Sequence, residues 1–135
     1  MTQSDKDLLL KDLCSRLPYG VKGEKYTIRM DGEFVPLIDV EIITAEDIIT
    51  LNGCPGYTIK PYLFPLSSMT DEDYAIYSKI WEDTGKTAYL EGCHHLISTI
   101  KAYKAANDFL LSKHYDIYGL IPMDLAIDAT NKDIY

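Results

Sequence analysis

Between Arg29 and Lys60 the chain carries no lysine or arginine, although Asp31, Glu33, Asp39, Glu41, Glu46 and Asp47 all fall there. The formal net charge is −8, so the mean field repels a phosphate backbone and binding to nucleic acid is not expected. Paired cysteines are also missing. Cys14, Cys54 and Cys93 are odd in number and far apart, which argues against a disulfide framework and for reduced thiols in the cytoplasm. No apolar run is long enough to span a bilayer, and no basic-then-apolar leader opens the chain, so no membrane partner is expected. There is no phosphate-binding glycine loop and no Gly-x-Ser-x-Gly elbow. Nor is there a basic patch interleaved with aromatics. The nearest cations, Lys101, Lys104 and Lys113, read as a solvated face of the last helix.

Phenylalanine and tryptophan are scarce, 3 and 1, but there are 11 tyrosines among 135 residues. A ring with a polar tip suits half-buried edges and partner surfaces. The length fits one globular domain spanning 1–135, and 47% apolar with 25% charged residues is an ordinary globular composition.

Residues Ser4 to Leu17 read as an amphipathic helix. Ser4 and Asp7 have capping-box spacing, and Leu9, Leu10, Leu13, Cys14 and Leu17 form the stripe expected to be buried. Pro18 ends it. From Val21 to Ile43 the period becomes two, with Asp31-Gly32 between the arms of a hairpin. A loop of Asp31, Gly32 and Glu33 would pair Met30 with Phe34 and set Lys25 opposite Asp39, joining the apolar faces. Pro36 marks an edge or a bulge. Ile48 to Leu51 is a short apolar run closed by Asn52-Gly53, and Tyr57 to Lys60 can return as a further strand. Pro61 and Pro65 stiffen the segment after it. Thr70 with Asp73 then caps a helix carrying Tyr74, Tyr77 and Trp81, which Gly85 should end. A last helix is expected from about Glu91–His95 to Lys113, with Leu96, Ile97, Ile100, Tyr103, Leu110 and Leu111 as its apolar face. The tail has breaks at Gly119 and Pro122 and a strand-like Leu125-Ala126-Ile127. The expected fold is α+β: an N-terminal helix, a small antiparallel meander of three or four strands, two C-terminal helices and an irregular tail.

Two segments, KPYLFPLSSMTDED (Lys60 to Asp73) and HYDIYGLIPMDLAIDA (His114 to Ala129), resemble signature stretches of small uncharacterised proteins from phages and mobile elements of gut bacteria. DLCSRLPYGV (Asp12 to Val21) resembles their opening. The resemblance implies a genomic setting and no reaction, cofactor or catalytic residue. Where the tail motif of those proteins has glycine, this chain has Asp124.

The candidate metal ligands are Cys93, His94, His95 and His114. Thiolate and imidazole suit zinc, but neighbouring residues on a helix point to different sides. Cys93 or Cys54 beside a histidine could be a nucleophile if a third group oriented the base. Asp116, Asp124, Asp128 and Asp133 match no calcium-loop spacing. What remains is surface recognition without a cofactor. Glu33, Asp39 and Glu41 are read as docking residues for a basic protein partner, with Tyr62, Phe64 and Tyr74 as aromatic anchors. The alternative is a small enzyme or metal protein centred on Cys93, His94 and His95.

Overall fold

The computed structural model describes the backbone of residues 1–91 and 95–135, and their side chains except those of 38, 39 and 84–98. Helix α1 (Gln3–Arg16) leads into strands β1 (Lys22–Ile28) and β2 (Phe34–Ile42). Helix α2 (Ala45–Gly53), strand β3 (Tyr57–Leu63), helices α3 (Asp71–Glu91) and α4 (His95–Ser112), and the two-residue strand β4 (Ile127–Asp128) follow. The architecture is the expected mixture of α and β, with the strand order β2-β1-β3-β4. Strand β1 is central, paired antiparallel with β2 on one side and β3 on the other. Helix α2 carries the chain across from one flank of β1 to the other. The tail adds β4 parallel to the end of β3, at Tyr62 and Leu63.

Helix α1 begins two residues earlier than Ser4 implied. Thr2 is the cap, taking a hydrogen bond from the Asp5 amide (3.1 Å) while Asp5 accepts from the Thr2 amide (2.9 Å). The buried face is Leu9, Asp12, Leu13 and Arg16, and Cys14 is exposed. The leucine count misled because an i,i+4 acid–base pair occupies half of the inward stripe. Arg16 holds Asp12 with two bonds, at 2.7 and 2.9 Å, and donates a third to the Tyr115 carbonyl at 2.7 Å. Both side chains are fully buried.

The segment around Ile48 to Leu51 is helix, not strand. Thr44 and Asp47 form a capping box, with the Asp47 amide donating to Thr44 Oγ1 (3.3 Å) and the Thr44 amide to Asp47 (2.8 Å). That turns Ile48 and Leu51 inward together, at helical spacing. They join Leu9, Leu13, Val21, Ile43, Ile59, Leu63 and Leu120 in the buried cluster. Gly23, on β1, has no room for a Cβ: the added atom would lie 2.7 Å from Ile43 Cδ1 and 2.8 Å from the Lys60 carbonyl.

Thr70 caps α3 as expected, accepting from the Asp73 amide at 3.1 Å. The helix then continues through Gly85 to Glu91. A lone glycine costs about 1 kcal/mol in a helix interior, too little to end a helix packed against a neighbour. Among the described side chains of α4 the buried positions are Ala102, Ala106, Leu110 and Leu111, whereas Ile100 and Tyr103 are exposed; those of Leu96 and Ile97 lie outside the described residues. Trp81 bridges the helices, edge-on to Tyr77 (6.5 Å between ring centres) and to Tyr103 (6.3 Å).

Candidate interaction surface

The hairpin of β1 and β2 leaves the body as an arm. Its root is buried at Val21, Gly23 and Ile43, but from Ile28 outward the side chains emerge into solvent. At the tip the Arg29 amide donates to the Glu33 carbonyl (2.7 Å) and the Gly32 amide to the Arg29 carbonyl (2.9 Å). Gly32 is left-handed, φ +87°. The loop is therefore Met30-Asp31-Gly32, closed by Arg29 and Glu33, with Ile28 opposite Phe34. Loop length and the glycine bulge are as expected, but the register differs by two. A three-residue loop of this kind needs its left-handed residue last, and Gly32 can be last only if the loop starts at Met30.

Two irregularities then restore the register toward the root. Tyr26 faces Pro36, Lys25 faces Ile38 and Gly23 faces Glu41, so β2 places nine residues against seven. Lys25 thus sits opposite Ile38 and not Asp39. Its ammonium still finds acids, Asp47 at 2.9 Å and Glu41 at 3.3 Å. Burial opposes that charge, but the bonds to Asp47 and Glu41 outweigh it and raise the Lys25 pKa. The same ion pair, with the Thr44 cap, holds Asp47 below the usual carboxylate range despite its partial burial. This clamp ties the arm to α2.

The exposed surface of the arm is apolar and acidic. Ile28, Met30, Phe34, Leu37, Val40 and Ile42 are all exposed, from 41% at Val40 to full exposure at Met30. Asp31, Glu33 and Glu41 stand among them. Arg29 is paired with Asp31 at 3.6 Å. The alternation in β2 is legible as strand, but the exposure of its apolar side chains is not.

The residues proposed for docking do not gather at one place. Glu33 and Glu41 lie on the arm, and the side chain of Asp39 lies outside the described residues. Tyr62 is buried, and its hydroxyl donates to Glu24, whose other oxygen takes the Tyr26 hydroxyl. Burial and the Glu24 charge push the Tyr26 pKa up. Tyr74 is exposed on α3, away from the arm in sequence and in the fold. Phe64 lines a cavity of about 390 Å³ between the start of α3 and the end of α4, with Thr70, Asp73, His114, Tyr115 and Tyr135.

In that cavity His114 is left-handed (φ 63°), and its ring stacks on Tyr135 at 3.7 Å. Its Nδ1 is buried without a hydrogen-bond partner among the described residues. Burial, then the charges of Arg16 and Lys22, lower its pKa to about 4. The Tyr115 hydroxyl donates to Asp73 at 2.7 Å. The Tyr135 hydroxyl donates to the Tyr62 carbonyl at 2.8 Å and accepts from the Lys22 amide at 3.0 Å. The Tyr135 bonds cross-link the tail to the sheet, and the Tyr115 bond ties the end of α4 to the start of α3.

Cys93 and His94 lie outside the described residues, as does the side chain of His95. His95 opens α4 and His114 follows its end, which at 1.5 Å per residue separates them by about 27 Å. They cannot share one ion. The tail acids are engaged separately: Asp116 accepts from the Leu120 and Ile121 amides, Asp124 pairs with Lys60 at 2.8 Å, and Asp128 accepts from Thr130. Among the described residues no group of three or more His, Cys, Asp or Glu side chains could hold a metal. No helix among them is long and apolar enough to cross a membrane.

Comparison with known proteins returns no match, whether to protein-family models, to curated proteins or to solved structures.

Proposed function

We propose that this is a small acidic accessory protein of phage or mobile-element type that acts by binding a basic protein partner through the β1–β2 arm. The observation that carries the reading is the row of exposed apolar side chains set in a stretch without a free cation. Exposed apolar patches rimmed by charge are characteristic of interaction sites. The genomic setting rests on the resemblance of the Lys60–Asp73 and His114–Ala129 segments. Cytoplasmic location rests on the unpaired cysteines.

The test is capture and crosslinking from host extract with the full chain as bait. The wild-type chain should retain a specific protein crosslinked at the arm, and Glu33→Lys with Glu41→Lys should reduce its recovery at least tenfold. Undiminished recovery by the double variant would remove the arm from the interaction.

A further inference from the structure

Resting on the reading that the arm binds a basic partner, we infer that the partner segment is a cationic amphipathic helix laid across one face of the arm, not a strand added to its edge. Strand β2 is an outer strand of the sheet, so addition of a strand is the obvious alternative. The edge is built against it. From the Arg29–Glu33 bond, alternation turns the Val35 backbone toward β1 and the Pro36 nitrogen outward. A proline there offers no donor to an incoming strand. The two irregularities put extra residues on β2 itself, which breaks the spacing that a continuous ladder requires.

Side chains, by contrast, are presented in order. Ile28 faces Phe34, and Ile42 faces Lys22, so Ile28, Phe34 and Ile42 share the face opposite the one where Lys25 reaches Asp47. Nine residues of strand span roughly 30 Å at 3.3 Å each, the length of a helix of about 20 residues. Phe34 also forms a wall of a cavity of about 400 Å³ together with Tyr26 and Met123, with Asp5 and Asp124 beside them. Asp5 is held ionised by its bonds to Thr2. An apolar stripe would seat on Phe34 and Met123, a side chain that adapts to many shapes. Lysines flanking the stripe would face Asp5, Glu33 and Asp124.

The probe is a synthetic 18-residue peptide of leucine and lysine at helical spacing, titrated into the isotope-labelled full chain. Controls are a peptide of the same composition with strict two-residue alternation, and a scrambled one. The helical-period peptide should bind at least tenfold more tightly than either, gain helical circular dichroism and shift the amides of Ile28, Phe34, Ile42 and Asp124. Phe34→Ser should weaken it at least tenfold. Pro36→Val, which keeps an apolar side chain and restores an outward amide to the β2 edge, should leave it within twofold, both variants being checked for an unchanged spectrum. Tighter binding of the alternating peptide, or a more than twofold gain in binding by Pro36→Val, overturns the inference in favour of strand addition. Equal binding of the scrambled peptide overturns it in favour of unspecific charge. If no peptide binds while the arm still captures a protein from extract, the helix is wrong and the partner reading stands; if capture fails too, both fall.

Discussion

The buried Asp12–Arg16 pair shows how much a single residue can hold in this chain. Burial raises the Asp12 pKa, and the Arg16 bonds and charge oppose that shift. The pair is costly to bury but costlier to break. Asp12→Ala should destabilise by about 3–5 kcal/mol, measured by urea unfolding, because it leaves the guanidinium buried and uncompensated. The double change Asp12→Leu with Arg16→Met should lose much less. His114 makes the second residue-scale prediction. Its folded pKa, about 4, lies below the ordinary 6.5, so the unfolded chain binds the extra proton between those values. Stability is therefore complete above pH 6.5 and declines as pH falls toward 4. With the partial exposure of the ring allowed for, the loss is on the order of 1–2 kcal/mol. His114→Asn, which tolerates the left-handed backbone, should flatten that slope in unfolding measured from pH 7 to 4.

At the scale of elements, local signals were good where the chemistry is local. Thr70 and Asp73 cap α3, and Pro18 and the Asp31-Gly32 turn lie where their backbones require. The Thr44–Asp47 box is an equally local signal that an apolar run at Ile48–Leu51 obscured. Thr44→Ala should cost about 1 kcal/mol through the lost cap, with part of the effect passing through Asp47 to Lys25. Gly32→Ala meets no steric obstacle but demands a left-handed alanine, so it should cost about 1–2 kcal/mol. Amide exchange should localise the loosening to the arm. Asp124 also holds a left-handed position, φ 59°. The Leu125 amide donates back to the Leu120 carbonyl there (3.0 Å), and glycine would take the turn without a Cβ.

For the whole molecule the sheet is the organising fact. Central β1 is paired on both sides, by β2 and β3, and leaves β2 as an outer strand whose side chains are largely exposed. Acids, a proline and bulges on β2 then guard an edge that would otherwise invite self-pairing. Glu33→Gln with Glu41→Gln should therefore raise self-association, read by sedimentation at increasing concentration. Partner capture by the arm should weaken as salt rises from 50 to 500 mM, on the order of the screening expected for exposed charges.

The sequence by itself determined the α+β class, the helix starts at Thr70 and near His95, the hairpin with its glycine, and the cation-free acidic stretch. Those depend on backbone chemistry within a few residues and on counting charge. Only the tertiary structure decided that Asp12 and Arg16 are core while Cys14 is surface, since that choice depends on the tail arriving at Tyr115. It also decided that Tyr62 is buried with its hydroxyl on Glu24. And it decided that the alternating residues of β2 are exposed, because alternation reports that a strand has two faces and not which of them another part of the chain will reach.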